Sequence, residues 1–119
     1  MKQIGPDDLL TLVKKGGKLF NGLPQKYQKC AISRTIYFKN IESEIMKLDP
    51  NTSIIVVYCA NSTCSAGETF ANKYFSNFKN VFHYSGGMYE WILLNKRNKN
   101  KYKLRGTCKL DVFKHRTKI

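Results

Sequence analysis

The sequence predicts an α/β protein with a mostly parallel central sheet and helices on both faces. Three observations carry that expectation. Ile54-Ile55-Val56-Val57-Tyr58 is an unbroken, mostly β-branched run between turn signals, the pattern of a strand buried on both faces. Short apolar segments alternate along the chain with segments of helical spacing, the order that builds a parallel sheet. The length, 119 residues, suits a single domain with its own core.

The elements follow in order. Gly5-Pro6-Asp7-Asp8 before Leu9, Leu10, Leu12 and Val13 reads as a helix start, because Pro fits the first turn and the acids face the positive end of the helix dipole. Lys14-Lys15-Gly16-Gly17 ends it. Leu19-Phe20 reads as a short strand, Asn21-Gly22-Leu23-Pro24 as a turn, and Thr35-Ile36-Tyr37-Phe38 as a further strand. Residues 41–48 carry apolar side chains at helical spacing, and Asp49-Pro50-Asn51-Thr52 reads as a loop. After the run at 54–58 come a small polar loop over 59–65 and a helix over 66–75. Val81-Phe82-His83-Tyr84 reads as a strand, Ser85-Gly86-Gly87 as a turn, and residues 88–94 as a helix in which Met88 and Trp91 face the core. His83 reads as a core or rim residue of its strand.

Residues 1–95 are expected to form the domain. Residues 96–119 form a basic extension, partly docked on it through Leu110-Asp111-Val112-Phe113. The net charge of +13 is concentrated there: 10 of the 21 Lys and Arg residues fall in 96–119, against one acid, Asp111. Such a tail could bind a polyanion weakly. Lys outnumbers Arg by 17 to 4, which fits a solvated surface better than specific phosphate recognition. No apolar stretch approaches a membrane span, and the first residues lack a signal-peptide pattern, so a cytoplasmic protein is expected. For that reason the four cysteines, Cys30, Cys59, Cys64 and Cys108, are expected as thiols. Cys30 and Cys108 have no evident partner, and basic neighbours could sharpen the reactivity of Cys108. The cysteine spacing is too loose for a zinc site, and no cofactor is implied.

Cys59 is the candidate catalytic residue. It follows the most buried strand, at the carboxyl end where ligands of open α/β sheets bind. Ala60, Asn61, Ser62, Thr63, Cys64 and Ser65 then turn the chain into a helix. Backbone N–H groups and the helix N-terminus there would favour a thiolate below the ordinary cysteine pKa of ~8.5. A buried, inert cysteine at a strand end is the competing reading.

From residue 54 to Trp91 the sequence resembles the second half of a rhodanese domain. The hydrophobic strand ending in Tyr58-Cys59, the short loop, the helix after it, and Gly86-Gly87-Met88-Tyr89-Glu90-Trp91, similar to the family's GG-x-x-x-W, carry the likeness. The first forty residues match more loosely. The resemblance implies a sulfurtransferase in which Cys59 takes a sulfane sulfur from a thiosulfate-like donor. It would hold the sulfur as a persulfide within loop 60–65 and pass it to a thiol or cyanide acceptor. The sequence also departs from the family. Asn21-Gly22-Leu23 stands in place of Asp-x-Arg, Ala31-Ile32-Ser33-Arg34 in place of His-Ile-Pro-Gly, and Cys64 where the loop often has Arg. Those losses remove positive charge from the donor site. They leave two alternatives open: a catalytically weak binding or regulatory module, and a redox switch in which Cys64 resolves an oxidised or persulfidated Cys59. Phosphatase activity of the related dual-specificity enzymes would need a guanidinium where Ser65 stands.

Overall fold

A computed structural model describes residues 1–114. The strands are β1 (Lys2–Ile4), β2 (Lys18–Asn21), β3 (Cys30–Ile32), β4 (Ile54–Tyr58), β5 (Asn80–Tyr84) and β6 (Leu104–Gly106). The helices are α1 (Pro6–Lys14), α2 (Ile41–Ile45), α3 (Ala66–Tyr74), α4 (Gly87–Arg97) and α5 (Leu110–Phe113). The main sheet has the order β1-β5-β4-β2, with every pairing parallel. β3 and β6 form a separate antiparallel pair. The protein is therefore α/β with a parallel central sheet, as the alternation of elements predicts.

Two cores follow from the period-2 alternation of the strands. Val56 and Tyr58 of β4 and Tyr84 of β5 meet Leu9 of α1, Met88, Trp91 and Ile92 of α4, and Phe113 of α5. On the opposite face Ile55 and Val57 of β4 and Phe20 of β2 meet Ile41 of α2, Ala71 of α3 and Phe75 just after α3. Helices thus cover both faces of the sheet, and β4 is buried on each side. Trp91 is fully enclosed, edge-on to Tyr84 and Tyr102, with its Nε1 donating to the Lys103 carbonyl at 3.0 Å.

Three expectations are corrected. Residues 35–38 do not form a strand. Only Thr35 bridges to Leu19, while Tyr37 and Phe38 are exposed and a 3-10 turn follows at Phe38–Asn40. The helix over 41–48 stops at Ile45. Cys30 and Cys108 are partners in a disulfide with Cα atoms 4.9 Å apart. The β3–β6 pairing sets Gly106 opposite Cys30, which delivers Cys108 two residues further on. Among the described residues the free thiols are Cys59 and Cys64. No helix of the described residues is long and apolar enough to cross a membrane.

Candidate active site

Cys59 immediately follows β4, and loop 60–65 carries the chain to the first turn of α3. Two strong constraints fix the cysteine. Met88 N donates to the Cys59 carbonyl and Tyr89 N to the Ala60 carbonyl, each at 2.9 Å, so the start of α4 grips the loop. That grip requires Gly87 in the left-handed region, at φ +63. A Cβ there would lie 2.6 Å from the Cys59 carbonyl oxygen and 2.8 Å from the Ala60 carbonyl carbon. The second glycine of Gly86-Gly87 therefore allows helix and loop backbone to touch. On the other side, Gly22 N donates to the Tyr58 carbonyl at 2.8 Å, and the Gly22 backbone packs against Gly67 and Phe70 of α3.

The loop closes over the sulfur. Cys59 is 1 % exposed and Cys64 7 %. The Cys59 thiol donates to the Cys64 carbonyl at 3.3 Å, while the backbone N–H groups of Gly67 and Ala60 face the same sulfur. Asn61 braces the turn. Its Oδ1 accepts from Thr63 N at 3.0 Å and from the Thr63 hydroxyl at 2.8 Å, and its Nδ2 donates to the Phe113 carbonyl of α5 at 2.9 Å. Ser62, Thr63 and Ser65 are exposed. Thus Ala60 supplies an N–H to the sulfur, Cys64 supplies an acceptor instead, and the Thr63 hydroxyl turns to Asn61.

An expectation about charge is corrected here. The loop does not lower the Cys59 thiol's pKa: burial pushes it up to about 12, the Cys64 contact adds to the rise, and the Gly67 and Ala60 N–H groups offset part of it. The resting residue is a thiol. Of the positions where charge is lost, Asn21 is buried with its Oδ1 accepting from Leu23 N at 2.9 Å, so it holds a turn and presents no charge. Arg34 is exposed. A groove of about 710 Å³ runs along α3 between Leu23, Phe38, Ser65, Phe70 and Tyr74. It starts at the last loop residue, and Cys59 is not part of its wall.

The sequence pattern of the family described as a rhodanese-like domain matches residues 23–94, from the turn after β2 through most of α4. The chain belongs to the rhodanese-like domain family. Solved structures agree on the fold. The BH2092 protein from Bacillus halodurans superposes with a TM-score of 0.66 at 22% identity, over 92% of this chain and 82% of that one. A protein from Lactobacillus plantarum gives a TM-score of 0.63 at 18% identity, over 87% of each chain. A full-length protein from the same organism gives 0.63 at 19% identity, over 88% of each. No curated protein matches the chain. At such identities these structures speak for the fold alone. Within the rhodanese-like frame, Cys59 stands at the carboxyl end of the central strand, and the Gly86-Gly87 pair is the clamp just described.

Sequence reasoning undervalued one residue beside this cysteine. His83, on β5, is 9 % exposed, with Nδ1 2.9 Å from Gln3 Oε1. Its Nε2 has no partner among the described residues. Period-2 alternation places its side chain on the α3 face, with Val81 and opposite to Tyr84. The register that sets it beside Val57, two residues before Cys59, comes only from the strand pairing.

Proposed function

We propose that the protein is a rhodanese-like sulfurtransferase that carries sulfane sulfur as a persulfide on Cys59. The observation that carries the proposal is the Cys59 sulfur at the end of β4, faced by the Gly67 and Ala60 N–H groups at the start of α3. Those donors and the helix N-terminus are suited to an anionic persulfide. The donor would be a small sulfane-sulfur compound such as thiosulfate, and the acceptor a thiol or cyanide. The buried thiol requires loop 60–65 to open for the donor to enter. Residues 1–95 would be the catalytic domain. The extension 96–119, whose last five residues lie outside the described ones, would steady the loop through the Phe113–Asn61 contact. The excess positive charge of that extension supports weak polyanion binding, which would fall steeply with added salt.

The test is thiosulfate-dependent sulfur transfer to cyanide beside a Cys59→Ser control. Turnover lost in the control supports the proposal; wild type no faster than the control refutes it for this donor. A specific contact favours a second reading. Cys64 is buried across the same loop, with its carbonyl on the Cys59 thiol, so oxidation could join the two sulfurs. Intact-mass measurement after thiosulfate and, separately, after peroxide treatment separates the two, since the disulfide loses two hydrogens and the persulfide gains one sulfur.

A further inference from the structure

We propose that His83 is the general base that takes the Cys59 thiol proton as the sulfur donor arrives. The inference rests on the persulfide chemistry proposed above and assigns the proton's destination. Gly67 shows the juxtaposition. A Cβ placed on it would lie 3.0 Å from His83 Nε2 and 3.6 Å from Cys59 Sγ, so imidazole and sulfur flank one small volume left by a missing side chain. The imidazole is not idle packing. Its Nε2 is buried without a hydrogen-bond partner among the described residues, and leaving such an atom unpaired is costly. Gln3 Oε1 accepts from Nδ1–H at 2.9 Å, which leaves Nε2 as the lone-pair nitrogen of a neutral ring. Gln3 is thus the positioning residue.

The step balances without an oxidant or reductant. The Cys59 S–H bond breaks, the proton moves to Nε2, and the electron pair stays on Sγ. The thiolate attacks the outer sulfur of thiosulfate. The donor S–S bond breaks, and sulfite leaves with its electron pair. The persulfide anion then faces an imidazolium, which supplies the positive charge that Cys64 cannot. The charged and titratable groups facing the ring are Glu68 from α3, the Met1 amine ahead of β1, and Cys59 from the end of β4. Burial lowers the imidazole pKa, with Glu68 opposing and the amine assisting, so the ring stays neutral at neutral pH and is free to accept a proton.

The test measures alkylation of Cys59 by iodoacetamide from about pH 5 to about pH 9, in a Cys64→Ala background, a range that spans the ordinary histidine and cysteine pKa values. With His83 present, the rate rises as the ring deprotonates and is then flat through the neutral range. His83→Gln removes the plateau, leaving a rate that climbs tenfold per pH unit and is roughly a hundredfold lower near neutrality, the usual contribution of a general base. If His83→Gln unfolds, as Trp91 fluorescence would show, the exposed Gln3→Leu variant replaces it and lowers the plateau severalfold. An unchanged plateau in the folded variant overturns the proposal. The assay needs no sulfur donor, so its outcome stands apart from sulfur transfer. A plateau without persulfide formation would refute the transfer reading alone. Persulfide formation with unchanged profiles would refute the role of His83 alone.

Discussion

Gly87→Ala tests the clamp that fixes the cysteine. At φ +63 a side chain raises the backbone energy by about 1–2 kcal/mol. The Cβ would also stand 2.6 Å from the Cys59 carbonyl oxygen and 2.9 Å from that of Ala60, both backbone atoms that cannot swing aside. The loop must withdraw, which breaks the Met88 N–Cys59 O and Tyr89 N–Ala60 O hydrogen bonds, at about 1 kcal/mol each. The expected loss is roughly 3–4 kcal/mol, or on the order of 15 °C in Tm for a domain of this size. Gly16→Ala is the control. It has φ +99 but nothing within 4 Å of its Cβ, so it carries only the backbone cost. Urea unfolding followed by Trp91, the single tryptophan, reads both variants. If Gly87→Ala falls within about 1 kcal/mol of Gly16→Ala, a spread no larger than one hydrogen bond, then the close approach of α4 to the Cys59 backbone is not what the glycine provides.

The remaining predictions concern other contacts. Replacing Cys30 and Cys108 by Ser opens a loop spanning 78 residues and should lower stability by up to about 4–5 kcal/mol on the chain-entropy account. Denatured but unreduced wild type should alkylate at two cysteines, and labelling at all four would refute the bond. Tyr58→Phe removes the hydroxyl that accepts from buried Ile32 N at 3.0 Å and pairs with Thr35 at 2.7 Å, and should cost about 1–3 kcal/mol in the same urea assay. A neutral result would mean that water replaces the hydroxyl. The Cys59 thiol, held protonated up to about 12, makes the folded state bind a proton that the unfolded chain has released above its ordinary pKa of about 8.5–9. Stability should therefore fall as pH rises from about 9, more in wild type than in Cys59→Ala. Parallel curves would show the sulfur to be solvated.

Much of this architecture was legible because it rests on local patterns. The run at 54–58 is β4 to the residue, since only a strand enclosed on both faces favours five successive apolar, mostly β-branched side chains. Gly86-Gly87 marked the start of α4, and the reason is steric. What was not legible depends on pairing across the chain. β1 and β3 are three residues each and carry too little pattern to stand out. Residues 35–38 have strand-forming side chains, yet Tyr37 and Phe38 face outward, and Phe38 lines the groove beside α3. The Cys30–Cys108 bond depends on β6 folding back onto β3, and no local spacing encodes that return. Charge at the site was misjudged for a related reason. The loop composition shows the N–H donors, but not that the Cys64 carbonyl would point at the sulfur or that the thiol would be sealed from water. His83 reads only as a core or rim residue in the sequence because its approach to Cys59 exists only once β4 and β5 are in register.

Intact-mass spectrometry of the protein after incubation with thiosulfate, beside Cys59→Ser, tests the central claim most directly. A gain of one sulfur, present in wild type and Cys64→Ala and absent from Cys59→Ser, is the predicted result. An unmodified wild type, or a sulfur that persists in Cys59→Ser, would contradict it.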